Sequence, residues 1–145
     1  MFALVQCDAD GHPLQPIEGM SGQLVAACTQ SADLFRRIGY EPPWVSYVAA
    51  DCGRAVGGGA FIGAPTDGIV EIAYFTLDQF QGQGYATQTA RRLVAIARQT
   101  APTITLRAFT LPQSNPSTKI LERLAFTMIG HAHDKDAGGV WEWRG

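Results

Sequence analysis

The chain has no apolar run approaching the ~20 residues that a membrane-spanning helix needs. Its start, MFALVQCDADG, has neither a basic opening nor an apolar stretch of signal-peptide length. Only three cysteines occur in 145 residues: Cys7, Cys28 and Cys52 are odd in number, scattered, and never form a CxxC pair. That spacing argues against a disulfide frame or a zinc knuckle, and for free thiols in a reducing, cytoplasmic setting. Charge of one sign is equally scarce. The formal net charge is −2 with no long block of either sign, so binding of nucleic acid by bulk charge is not expected. No Gly-Lys pair occurs anywhere, which removes the Walker phosphate loop. Internal repeats and low-complexity linkers are also missing. What is left is an ordinary globular composition, 46% hydrophobic and 17% charged, over a length that suits one domain, residues 1–145, with a core of its own.

MFALVQC reads as a first strand, ended by DADGHP. From about Met20 to Ile38 the pattern is helical, with a break near Gln30 and Ser31, where Ser31 is placed to cap a second short helix. GYEPP stops it, because a residue before proline is pushed out of the helical region. WVSYVAAD and AVGGGAFIG read as two strands joined by the turn CGR, and IVEIAYFTL, rich in β-branched and aromatic residues, as a third. After the loop that follows, Ala86, Ala90, Leu93, Val94 and Ala97 form one apolar stripe at helical spacing. TITLRAFT is a strand with Ile104, Leu106 and Ala108 on one face. SNPSTKILERL is a short helix, capped by Ser or Asn with Pro116 in its first turn, and FTMIGHA and VWEWR are two closing strands. The central strand–helix–strand implies a parallel pair and the hairpins imply antiparallel neighbours: a mixed α/β sheet.

The loop between the third of those inner strands and the helix reads DQFQGQGYATQ, with Gln79-x-x-Gly82-x-Gly84 at its centre. Successive N–H groups from Gln81 to Ala86 can turn inward as an anion nest at a helix N-terminus, and no β-carbon stands at Gly82 or Gly84 to block the approach. A dinucleotide fingerprint would need a third glycine where Thr87 stands, and an acid about 20 residues on, which TITLRAFT lacks. The plain alternative is a loose turn.

Gln79-x-x-Gly82-x-Gly84 resembles the pyrophosphate loop of the GNAT acetyltransferase superfamily, Gln/Arg-x-x-Gly-x-Gly/Ala. A second block, AFTLPQSNPSTKILERLAF, is similar to that superfamily's other cofactor segment, with Ser117, Leu121, Glu122, Arg123 and Phe126 in frame. The likeness runs from about Trp44 to Trp143. Two positions depart from it: Ser114 stands where Asn is usual, with Asn115 adjacent, and Ala125 replaces the Gly before Phe126, so the turn there must avoid positive φ or carry strain. Ser117 is closest to the branch that acetylates protein N-termini.

The resemblance implies the GNAT fold: a mixed, mostly antiparallel sheet of six to seven strands with a central splayed parallel pair, flanked by about four helices. It implies acetyl-CoA as co-substrate, no metal, and direct attack by a primary amine, from a peptide N-terminus or a small molecule. Cofactor contacts carried over by position are the main chain of Phe75, Thr76 and Leu77, the loop residues Gln79, Gln81, Gly82, Gln83, Gly84, Tyr85, Ala86 and Thr87, and Ser114, Asn115 and Ser117. A non-catalytic acyl-CoA-binding module on the same fold is the alternative, because Leu121 occupies the position where many relatives place an acid tyrosine. A domain that binds no cofactor is the third reading, and a homodimer is left open.

Glu71 interrupts a nearly all-apolar strand, where a carboxylate is costly unless paired or useful. By resemblance it is the candidate base, and the other reading is an ion pair with Arg107 on the neighbouring strand. Ser117 is the candidate acid, its alternative being a helix cap. His131 and His133 share a strand face but lack a third ligand beyond Asp134 or Asp136, so an exposed edge strand is expected. Trp141 and Trp143 share a face, read as core, an acceptor wall or a dimer seam. Arg91 and Arg92 are read as solvated, with a cofactor phosphate as the alternative. Asp33, Glu41, Asp134 and Asp136 are the acids placed to steer an amine.

Overall fold

The computed structural model describes residues 1–134 and 138–145. Seven strands, β1 (Phe2–Gln6), β2 (Ser46–Asp51), β3 (Arg54–Phe61), β4 (Ile69–Thr76), β5 (Thr105–Thr110), β6 (Thr127–Asp134) and β7 (Gly138–Arg144), form one sheet in the order β1-β2-β3-β4-β5-β7-β6. All neighbours are antiparallel except β4 and β5, which run parallel and are joined by a strand–helix–strand crossover. That parallel pairing covers only Ile69↔Thr105, Val70↔Leu106 and Glu71↔Arg107. Beyond Glu71 the two strands part, β4 running on to Thr76 and β5 to Thr110. A sheet split there exposes backbone N–H and C=O groups with no strand partner.

Three α-helices flank the sheet, α1 (Gly22–Ile38), α2 (Tyr85–Thr100) and α3 (Pro116–Arg123), and a single 3-10 turn, Asp78–Phe80, follows β4. The expected count of about four is therefore one too high, since α1 is not broken at Gln30 and Ser31. Its buried residues Leu24, Cys28, Ala32 and Phe35 keep helical spacing straight through that point. A serine does not end a helix whose apolar stripe continues past it. The cap lies at Ser21 instead, whose side chain accepts from the Leu24 N–H at 3.4 Å.

α2 buries Thr89, Ala90, Leu93 and Ala97 against β3 and β4. Its stripe joins Val70 and Ile72 of β4, Leu106 and Ala108 of β5, and Leu121 and Phe126 in the main core. A smaller cluster on the α1 side holds Leu24, Cys28, Cys7, Val48, Ala55 and Leu77. No helix among the described residues is long and apolar enough to cross a membrane.

After α3 the chain turns through Ala125 at φ 65°, so the Gly-to-Ala departure is met with strain. The turn is held by Ala125 N–H donating to Glu122 O and Phe126 N–H donating to Leu121 O, which seats the Phe126 ring in the core. A left-handed alanine costs roughly 1–2 kcal/mol, and glycine returns part of that gain as unfolded-chain entropy. Ala125→Gly is expected to raise the melting temperature by about 2 °C. A fall in a thermal scan would show that the turn is relaxed as it stands.

Candidate active site

Gly82 and Gly84 both adopt positive φ, 80° and 84°, and a β-carbon added to either would meet nothing within 4 Å. The loop therefore needs glycine for its backbone path, and that path leaves one side open. Gly84 is the N-cap of α2 and supplies no side-chain acceptor, whereas Ser21 caps α1 and Asn115 caps α3. The first-turn N–H groups of α2, at Tyr85, Ala86 and Thr87, are left to whatever occupies the space before them. No acidic residue stands in that first turn.

The space is a groove of about 780 Å³. One end is the glycine loop, where Gln81, Gly82, Gly84, Tyr85, Ala86 and Thr87 line it, and the other is the splay, where Tyr74, Phe75 and Thr76 line it. Along its third side runs α3, presenting its cap Asn115, Ser117 and Lys119 in its first half and Arg123 at its last residue. Neither Lys119 nor Arg123 was expected at the site from the sequence, where Lys119 was not named and Arg123 entered only in the frame of the second block. Their signal was the spacing Asn115, Lys119, Arg123, which puts one polar face at i, i+4, i+8. Two cations opposite an uncapped helix N-terminus suit a polyanionic ligand. The carboxylate of Asp78 also borders the groove, held to the Gln81 amide at 3.4 Å.

Backbone direction alternates along β4. Glu71 O accepts from Ile62 N–H and Leu77 N–H donates to Val56 O, both on the β3 side. The main-chain groups of Tyr74 and Thr76 consequently face the gap left by β5. Leu77, carried over as a main-chain contact, uses its N–H on β3 and buries its side chain in the smaller core. Gln79, Gln83 and Ser114 are outside the groove lining; Phe75 and Thr76 belong to it, but the Phe75 main chain is turned toward β3, with its carbonyl against Gly57, so the main-chain contact carried over for Phe75 is corrected.

At the head of α3, the Asn115 side chain accepts from Thr118 N–H and the Thr118 hydroxyl accepts from Asn115 N–H, each at 3.0 Å. This reciprocal cap takes up Asn115 and leaves Ser117 outside it, so the capping alternative for Ser117 is corrected. The Tyr74 phenol points at Ser117 O from 3.5 Å, and burial pushes its pKa up to about 12. Tyr74 is thus a neutral O–H donor between β4 and α3 across the physiological range. Sequence reading missed it because an aromatic in an apolar strand looks like core. Leu121 is fully buried in the main core and supplies no proton chemistry.

Glu71 projects on the α1-facing side of β4, with Ala73 and Phe75, because alternate strand residues share a face. Its Oε1 stands 3.6 Å from an Arg107 guanidinium nitrogen, with both side chains partly exposed, so the ion pair weighed from sequence is present. Arg107 also lies over the Phe109 ring at 5.4 Å.

Arg92 is engaged with Phe2, over its ring at 5.7 Å and donating to Phe2 O, Arg91 is exposed, and neither lines the groove. Trp143 is core, its indole N–H donating to Thr110 Oγ1 at 3.0 Å, and Trp141 packs partly buried beside it. β6 is the sheet edge, with His131 and His133 exposed, and no metal-binding group of three ligands occurs among the described residues. Asp33 pairs with Arg36 at 2.7 Å on the outer side of α1, and Glu41 is exposed. Asp136 lies outside the described residues.

The acetyltransferase (GNAT) domain family matches residues 21–127, well over half of the chain. A search of curated protein sequences finds no match. Among solved structures, the ribosomal-protein-S5-alanine acetyltransferase from Vibrio fischeri superposes with a TM-score of 0.72 at 14% identity, over 99% of this chain and 92% of that one. RimL, a ribosomal L7/L12 alpha-N-protein acetyltransferase in complex with coenzyme A, gives 0.71 at 17% identity, over 99% and 93%. A GNAT-family acetyltransferase from Bacillus anthracis gives 0.59 at 15% identity, over 68% of this chain, which spans 64% of that protein's length. With its family domain, its seven-stranded sheet and the splay between β4 and β5, the chain belongs to the GNAT acetyltransferase family.

Proposed function

We propose that this chain transfers an acetyl group from acetyl-CoA to a primary amine by direct attack when both are bound. The observation that carries the reading is the single groove joining an uncapped helix N-terminus to a split in the sheet. At the loop end, N–H groups and the cations Lys119 and Arg123 would hold phosphates. At the splay, the main-chain groups of Tyr74 and Thr76 would bond the amide-bearing arm and the thioester carbonyl, where charge develops as the amine adds.

Glu71, reachable by water at 26% side-chain exposure, serves as base for the amine proton, directly or through one water. As the C–N bond forms and the C–S bond breaks, the thiolate leaves beside Tyr74 and Ser117, whose hydroxyls are the donors there. An α-amine, with a reference pKa near ~8, asks less of such a base than a lysine near ~10.4.

Acetyl-CoA at 100 times its Kd is expected to add about 2.7 kcal/mol to stability, a shift of about 6–10 °C for a chain of this size. NADH and ATP at the same concentration serve as controls. Amine-dependent thiol release then tests transfer. A folded protein with no acetyl-CoA shift would overturn the reading.

A further inference from the structure

A second cavity, about 290 Å³, lies on the α1 side of the sheet, between that helix and β2, β3 and β4. It meets the groove at Tyr74 and Phe75, which line both. Gly58 shapes its floor: a β-carbon there would come within 2.9 Å of the Phe75 ring and 3.4 Å of a Leu24 methyl, so the glycine lets that ring lie between the two spaces. Leu24, Ala27, Leu34, Ala60, Ile62 and Ala73 supply apolar wall, and Gln30 and Ser31 of α1 are uncharged polar side chains on it. Among the described residues, no Asp, Glu, Lys, Arg or His lines it.

We propose that this cavity seats the body of the acceptor, and that the acceptor is a primary amine carried on a small, uncharged, apolar group. The proposal rests on the acetyl-transfer reading and names the substrate class of that same site. Position supports it, since the cavity meets the groove at Tyr74 and Phe75, the splay end where the acetyl-transfer reading puts the thioester. Glu71 stands two residues beyond Ala73 on the same strand face, roughly 7 Å along β4, which puts its carboxylate toward the amine side of the sheet. Size supports it too, because this is the small end of ligand cavities, suited to one side-chain-sized or ring-sized group.

Charge decides between amine classes. A polyamine or amino sugar would bring a second ammonium into a wall with no carboxylate to meet it, and an unpaired cation in such surroundings is strongly disfavoured. An apolar body loses nothing by leaving water and gains contact with the wall. The same chemistry is presented by a free arylalkylamine and by a peptide with an apolar first residue.

The test uses the full chain saturated with CoA, titrated calorimetrically with phenethylamine, with an alanyl peptide amide and with spermidine, followed by thiol release with acetyl-CoA. The expected result is that spermidine trails the better apolar amine by roughly tenfold or more in kcat/KM and in affinity. Which of the two apolar amines leads identifies the source. Ala27 lies partly exposed on α1, where Leu and Glu are both good helix formers. Ala27→Leu should weaken the apolar amine about tenfold and leave CoA affinity unchanged, and Ala27→Glu should narrow or reverse the gap to spermidine.

Equal or better use of spermidine overturns the proposal, as does an Ala27→Leu variant that binds the apolar amine undiminished, or no binding by either apolar amine. If the apolar amine binds and Ala27→Leu abolishes it, but no amine releases thiol, the transfer reading fails and the cavity assignment stands.

Discussion

Gly82→Trp is expected to lower acetyl-CoA affinity at least ~100-fold, with the fold retained. Gly82 sits exposed at φ 80°, and a side chain there meets no protein atom. The indole would project from the loop at the edge of the groove it lines. Two penalties then act together: left-handed strain of roughly 1–2 kcal/mol, and loss of close approach between loop N–H groups and a phosphate. Gly82→Ala separates them, since it brings the strain without the bulk and should cost stability more than affinity. Isothermal titration with acetyl-CoA, beside a thermal scan of the free protein, reads both quantities. Wild-type affinity in the Trp variant would mean that the loop is only a turn.

Glu71→Gln is expected to reduce kcat by about 10²–10⁴, the usual range for a lost general base, with acetyl-CoA affinity unchanged. The substitution also removes the ion pair to Arg107, so the pair has to be tested by itself. Both side chains are about a third exposed or slightly less, at 34% and 26%, and such pairs contribute about 0–1 kcal/mol. Arg107→Gln therefore supplies the comparison: it breaks the same pair, keeps the carboxylate, and should change kcat far less. If the two variants lose turnover equally, Glu71 acts by holding β4 against β5 where the sheet begins to split, and the base lies elsewhere.

Much of this molecule was legible because it is local. The stripe of Ala90, Leu93 and Ala97 predicts α2 and also seats it on the sheet, since one spacing sets both the helix and its buried face. Pro116 and Asn115 marked the start of α3 for the same reason. The break expected at Ser31 misled because a serine is neutral inside a helix once Ala32 and Phe35 continue the buried stripe of Leu24 and Cys28. Arg107 was readable as a partner for Glu71 because adjacent parallel strands bring their central residues into register.

The sequence by itself determined the strand and helix pattern apart from the continuity of α1, the need for glycine at 82 and 84, and the type of groove that begins there. Each depends on residues within a few positions of one another, where steric limits on φ and the periods of helix and strand apply directly. Only the tertiary structure decided that β4 and β5 part immediately after Glu71, that Lys119 and Arg123 line the same groove as the glycine loop, and that Tyr74 reaches Ser117 across 43 residues. It alone decided that a second, uncharged cavity opens on the other side of Phe75. These features depend on which side chains meet after the sheet has twisted and the helices have packed, and no local spacing carries that information.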